Sequence, residues 1–307
     1  MAVRFSIVVP TYNRARLITK AIDTVLSQTF TNWQLVIVDD GSTDNTKEIV
    51  QQYADKDERI KYIYQKNAER CVARNNGIES SVGEYICFLD SDDYFLPNRL
   101  ELLDATIREK QNPVGMFYTG ILYDNGSTIR EKNEIKNTFN NVFDFLIHAI
   151  IGTPQTCIHR DILLIEKFNP QFHVSEDLEL WIRIARNYPV EFLENQLTVV
   201  ATEHENRTVG DFIFTGYESH ILTYKYIFEN FGHLFSSDAI CKKFLHDSYM
   251  GLARSYMRNG KNWMMLKAIV IGSTYCFTRT RKEKIYLIVS NFSIFKPLLW
   301  LSNFFRN

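Results

Sequence analysis

Apolar positions along the first part of the chain alternate between two periods. Residues 5–9 (FSIVV) form a short β-rich run stopped by Pro10. Across 15–29, Leu17, Ile18, Ala21, Ile22, Val25 and Leu26 then share one helical face. The cycle repeats with an apolar run at 33–38 (WQLVIV) ending in Asp39-Asp40-Gly41, a helix over 44–54, a strand at 60–64 and a helix over 72–80. A further strand at 85–89 (YICFL) stops at Asp90-Ser91-Asp92-Asp93, and a helix at 100–110 and a strand at 115–123 follow. Continuous apolar strands alternating with amphipathic helices predict βαβ units: an α/β fold with a mainly parallel sheet covered on both faces by helices.

Past that point the pattern loosens. The sequence predicts a polar loop over 124–138, a helix over 142–151, and a helix over 178–187 opened by Ser175-Glu176-Asp177. Two short strands, 190–193 and 197–201, come next, and from about 211 the chain reads as helical and rich in Phe, Tyr and Leu. The expected organisation is a catalytic domain over 1–210 and a helical, basic region over 211–307.

Composition narrows the class. With 307 residues, 45% hydrophobic and 14% aromatic, and only 13 Gly and 7 Pro, the chain is neither disordered nor fibrous. Five cysteines at 71, 87, 157, 241 and 276 form no CxxC pair, a poor framework for disulfides or zinc. The N-terminus lacks the regions of a signal peptide, so a cytoplasmic location is expected. No nucleic-acid partner is expected. The net charge of −1 hides an asymmetry: from 241 onward twelve Lys+Arg face two acids, Asp247 and Glu283.

In open sheets of this kind ligands bind beyond the carboxyl ends of the strands, and three strands here end in polar sequence: Thr11-Tyr12-Asn13, Asp39-Asp40 and Asp90-Ser91-Asp92. No GxGxxG or HExxH is present. Gly115 and Gly120 have the first two glycines of a P-loop spacing, but Ile121 stands where Lys is required. Asp90-Ser91-Asp92 sets two carboxylates around a small residue, hard oxygen ligands suited to Mg²⁺ or Mn²⁺ with substrate phosphates completing the shell. Each triplet alone reads equally as a turn or helix cap; their convergence at three neighbouring strand ends points to a site.

VVPTYNR (8–14), VDDGSTDNT (38–46), ARNNGI (73–78), GEYICFLDSDD (83–93) and SEDLELWIRIA (175–185) together resemble the family 2 glycosyltransferases of GT-A fold, over roughly residues 3–205. The resemblance implies a nucleotide-diphosphate-sugar donor, commonly UDP-linked, a divalent cation (Mn²⁺ or Mg²⁺), inversion at the anomeric carbon, and a saccharide or lipid-linked acceptor. It places Pro10 and Tyr12 at the nucleoside, Asp40 at the uracil ring, and Asp90 with Ser91 at the ribose. Asp92 falls at the metal, and Asp177 is the general base. Glu176 would point toward the acceptor. Arg74 stands where the family keeps a basic residue near the nucleotide, or pairs with Asp39 or Asp40. His204, in ATEHENRT, is a candidate metal ligand or a surface residue. Ser175 reads as the helix N-cap, and Trp181 as packing. The QxxRW motif of processive members is absent, which favours single addition. A nucleotidyltransferase and a non-catalytic nucleotide-sugar binder are the rival readings.

The C-terminal stretch has its own signature. Arg279, Arg281, Lys282 and Lys284 precede an apolar, aromatic run at 285–305 that Ser290, Asn291, Lys296 and Pro297 interrupt. Such a segment suits a helix lying in an anionic membrane interface, or packing on the domain or in a homodimer contact.

Overall fold

A computed structural model describes residues 2–131, 139–202 and 214–275. Strands β1 (Phe5–Thr11), β2 (Trp33–Asp39), β3 (Ile60–Tyr64) and β4 (Tyr85–Phe88) run parallel in the spatial order β3-β2-β1-β4. Helices α1 (Ile18–Leu26), α2 (Thr46–Ala54) and α3 (Glu69–Ser80) make the crossovers. Burial explains the continuous apolar runs: Phe5, Ile7, Val8, Leu35, Val36, Ile37, Ile86 and Phe88 are all inaccessible to solvent, as residues on both faces of a covered sheet must be.

The sheet continues in the order β4-β8-β6-β9-β5. These strands are β5 (Tyr94–Phe95), β6 (Met116–Asp124), β8 (Thr156–His159) and β9 (Val190–Ala201), and β7 (Ile129–Glu131) pairs with β6. The longest pairing here, β6 with β9, is parallel, whereas β8 lies antiparallel between β4 and β6. The accompanying helices are α4 (Arg99–Glu109), α5 (Val142–Ala149), α6 (Arg160–Ile165) and α7 (Glu176–Ala185).

Three expectations change. The two strands read at 190–193 and 197–201 are one strand, β9. The polar step Glu194-Asn195-Gln196 is a bulge, with the register jumping from Thr119↔Leu193 to Gly120↔Gln196 and then Ile121↔Thr198. Gly120 is the partner of the bulge because a Cβ there would stand 3.0 Å from the Gln196 side chain. The loop expected at 124–138 contains β7, paired with β6 as a hairpin. Strand β8 and helix α6 had no signal of their own, being only 4 and 6 residues long.

The chain divides into two compact units, residues 1–205 and 206–307. In the second, the described residues form α8 (Phe214–Phe231), α9 (Asp238–Arg258) and α10 (Asn262–Thr274). Among the described residues no helix is long and apolar enough to cross a membrane. The run at 285–305 and its basic flank lie outside the described residues.

Candidate active site

The carboxyl ends of β1 and β2 are tied together by short polar side chains, and the motif residues make those ties. Asn13 stands in the left-handed region (φ 52°), its Oδ1 accepts from the Thr43 amide at 2.8 Å, and its own amide donates to Ser42 Oγ at 2.8 Å. The Arg14 amide donates to Thr46 Oγ1 and the Ala15 amide to Asp44 Oδ2. The β1–α1 and β2–α2 loops are thereby one unit. Asp39 is wholly buried: Oδ1 accepts from the Ser42 amide and Oδ2 from the Tyr62 hydroxyl, 2.8 and 2.7 Å away. Burial and this carboxylate push the Tyr62 phenol well up. Asp39 therefore ends β2 and braces the turn that follows it.

Asp40, also buried, accepts at Oδ1 from Gln65 Nε2 (2.7 Å) and from the Ala68 amide (2.8 Å), and so shapes the approach to α3. Gly41 has φ +85°, and a Cβ there would meet the Asn67 amide nitrogen at 2.8 Å. Only glycine fits that turn comfortably. Pro10 is half-buried beside it and Tyr12 is 46% exposed, its ring available to a flat partner.

Helix α3 links these loops to the other side of the site, and ARNNGI is the segment that does so. Arg74 is buried and donates from Nη1 to Glu176 Oε1 at 2.9 Å and from Nη2 to Asp90 Oδ1 at 3.2 Å. The two carboxylates hold its guanidinium charged despite burial. This corrects the pairing with Asp39 or Asp40. Asn75 exchanges two hydrogen bonds with the Phe168 backbone, and Asn76 donates to Gln65, the partner of Asp40. Gly77 lets the helix sit on the sheet, since a Cβ would come within 2.3 Å of Val8 Cγ1. Gly77→Ala should therefore cost about 2 kcal/mol through overpacking, beyond the ~1 kcal/mol that alanine returns in helix propensity. Denaturant unfolding checks this; an unchanged midpoint would show that α3 can lift off β1 freely.

At the start of α7, Glu176 is 5% exposed, with Arg74 on Oε1 and Arg70 Nη1 3.9 Å from the same oxygen. It is an ion-pair partner rather than a group directed at an acceptor. Asp177 is half-buried, and its Oδ1 accepts from the Leu178 amide at 2.8 Å. Burial first, and the neighbouring Glu176 charge second, push its carboxyl up to about 7, against the opposing pull of Arg74. Ser175 occupies the N-cap position in a left-handed backbone (φ 60°) but makes no capping hydrogen bond through its side chain. Trp181 packs as expected, 1% exposed, with its indole donating to the Ile151 carbonyl.

The β4 end presents Asp90 with its side chain 35% exposed, Ser91 buried and Asp92 half-buried. Asp93 Oδ1 accepts from the Ala201 amide at 3.1 Å and pins the end of β9 to this turn. Mg²⁺ and Mn²⁺ are usually held by one or two carboxylates with substrate phosphates filling the shell, and Asp92 beside Asp90 offers a donor set of that kind. Among the described residues no three His, Cys, Asp or Glu side chains form a metal site by themselves. His204 lies outside the described residues. The structure thus joins Arg74, Asp90 and Glu176 in one hydrogen-bonded group, with Asp177 in the same field, while Pro10, Tyr12 and Asp40 border the β1 and β2 ends.

Comparison with known proteins follows the same ground. The model of glycosyl transferase family 2 matches residues 6–165. An uncharacterized glycosyltransferase of Rickettsia bellii is 32% identical over 206 residues, covering 67% of this chain and 30% of that protein; the chain spans about three-tenths of that relative's length. The Escherichia coli UDP-Glc:alpha-D-GlcNAc-diphosphoundecaprenol beta-1,3-glucosyltransferase WfgD is 33% identical over 184 residues, 59% of this chain and 70% of its own. The crystal structure of S. aureus TarS residues 1–349 in complex with UDP-GlcNAc superposes with a TM-score of 0.64 at 20% identity, covering 94% of this chain and 84% of that one. That likeness is one of fold, the GT-A arrangement.

Proposed function

The chain belongs to glycosyl transferase family 2, and from that premise we propose that it moves one sugar per turnover from a UDP-sugar to a hydroxyl of a saccharide or lipid-linked acceptor, with inversion at the anomeric carbon. The observation that carries this reading is the Arg74 bridge, which ties Asp90 at the β4 end to Glu176 at the head of α7 and so brings the part-accessible Asp177 to that strand end; burial pushes the Asp177 carboxyl up to about 7. A base poised near neutral pH is what removal of an acceptor proton requires. The relative WfgD, by its name, uses UDP-glucose and a diphosphoundecaprenol-linked acceptor, and TarS was solved with UDP-GlcNAc; both support a uridine donor and the first an acceptor on a lipid carrier, in keeping with a role in cell-surface polysaccharide synthesis. Such an acceptor favours a location on the cytoplasmic face of a membrane.

In this reading Tyr12 lies against the uracil, with Pro10 beside it and Asp40 accepting from the ring N–H. Asp90 and Ser91 meet the ribose, and Arg74 fixes the Asp90 carboxylate in place. Asp92, with His204 as a further candidate, would hold Mn²⁺ or Mg²⁺, which when bound supplies positive charge to the departing diphosphate. Asp177 takes the acceptor hydroxyl proton as that oxygen bonds to the anomeric carbon from the face opposite the diphosphate. The bond to the diphosphate oxygen breaks and its electron pair leaves with UDP. In-line placement of the two partners supplies the remainder.

The pH dependence tests the assignment. Ionised Asp177 is the active form, so kcat/KM should rise with pH through an apparent pKa of about 7. Glu176→Gln removes a negative charge that raises that value and releases Arg74 toward Asp177, so both effects move the rising limb to lower pH. A limb that stays in place in Glu176→Gln would assign the base elsewhere.

A further inference from the structure

Helices α8 and α10 of the second unit both pack on α9, and much less on each other, so the pair splay over it and leave a groove. Each helix turns a stripe with helical spacing into that groove: Ile221, Leu222 and Lys225 from α8, Tyr249, Leu252 and Tyr256 from α9, and Met264, Lys267 and Ala268 from α10. The space is about 350 Å³, near the lower limit of small-molecule pockets. Its floor is apolar: Ile221, Leu252 and Ala268 are buried beneath it, while Leu222 and Met264 are 54% and 41% exposed along its sides.

The polar groups are few and divided by charge. Glu218 accepts a hydrogen bond from the Tyr256 hydroxyl. Lys225 is half-buried with Nζ 5.6 Å from the Tyr249 ring centroid; its side-chain hydrogen bond with Tyr249, and the charge of Glu229 one turn along α8, hold its ammonium charged against burial. Lys267 is exposed. Among the described residues neither lysine has a carboxylate within ion-pair distance, whereas eleven other lysines and arginines do. An apolar slot whose charged lining is Lys225 and Lys267 against the single carboxylate of Glu218 suits a hydrocarbon chain carrying an anionic head. A sugar would leave its hydroxyls without partners against that floor.

We propose that this groove binds the prenyl phosphate end of a lipid-linked acceptor, its first isoprene units over Leu252 and its phosphate oxygens at Lys225 and Lys267. The assignment rests on the transferase reading above and names the part of the acceptor that the helical unit recognises. Hydrophobic burial would supply the affinity and the lysines the choice of a charged over an alcoholic lipid.

The test is equilibrium dialysis of the full chain against radiolabelled geranylgeranyl diphosphate below its aggregation concentration, with geranylgeraniol and inorganic pyrophosphate as competitors. Saturable binding is expected, displaced weakly by either competitor alone. Lys225→Gln with Lys267→Gln should weaken it about tenfold or more, and Leu252→Trp, which fills the floor, should abolish it. All variants should keep acceptor-independent UDP release from a UDP-sugar, since the groove holds none of the catalytic residues. No saturable binding, equal binding by the lysine variant, full displacement by pyrophosphate, or a concentration-dependent dimer that shuts lipid out would each overturn the groove. An unmutated chain that releases UDP but shows no saturable lipid binding sinks this inference alone. Specific lipid binding by a chain that releases no UDP upholds the groove and sinks the transferase reading.

Discussion

Asp177→Asn should lower kcat by about 10³-fold, within the usual range for removing a general base, while UDP affinity stays within about twofold. The same change should stabilise the protein above neutral pH. Because the folded-state pKa of about 7 exceeds the 3.8 of an ordinary aspartate, the folded protein keeps a proton that the unfolded chain has released. That carboxyl contributes stability which is fully present below about pH 4 and is lost as pH rises through about 7. Asparagine holds no charge there, and its Oδ1 can still accept from the Leu178 amide, so at pH 8 the variant should gain on the order of a few kcal/mol. Loss of activity together with a higher melting temperature at pH 8, and little difference at pH 4, is the expected pair of results. A variant that loses UDP binding and stability together would make Asp177 a structural cap of α7.

Asp92→Ala should cut Mn²⁺-dependent turnover at least ten-fold and flatten its dependence on metal concentration, with the fold unchanged. The residue is half-buried at a strand end and outside the hydrophobic core, so little packing is lost. Its neighbour Asp93 is already committed to the end of β9 and cannot take its place without breaking a tie of the scaffold, and Asp90, held by Arg74 at Oδ1, can assist it but not replace it. Retention of more than about a tenth of turnover in saturating Mn²⁺ would move the metal role to another residue.

The parallel half of the sheet was legible because strands buried on both faces leave near-continuous apolar runs, and FSIVV, WQLVIV and YICFL are such runs, interrupted only by Ser6 and Gln34, which hydrogen-bond each other. The polar strand ends marked the site for the same reason: carboxylates cannot continue a buried strand. Strand β8 was not legible. Its four residues are buried between β4 and β6, and nothing periodic surrounds them. The bulge in β9 hid a continuous strand behind three polar residues. Within the site, residue types were readable but pairings were not. Arg74 meets Asp90 sixteen positions away and Glu176 a hundred and two away, and local pattern carries no information about the second. The ARNNGI signal was present in the sequence, yet its role as the link between loops and α7 needed three dimensions. The raised Asp177 carboxyl likewise arises from burial and from Glu176, whose own charge Arg74 only partly offsets.

Cleavage of a nucleotide sugar is the reaction that Asp92 and Asp177 would serve in this chain. Purified full-length protein with Mn²⁺ and a panel of UDP-sugars, assayed at pH 8 for released UDP, tests it most directly. One UDP-sugar should give slow UDP release that an acceptor bearing the matching saccharide on a lipid diphosphate accelerates, and that Asp177→Asn loses. No UDP from any donor, or pyrophosphate released from UTP in its place, would contradict it.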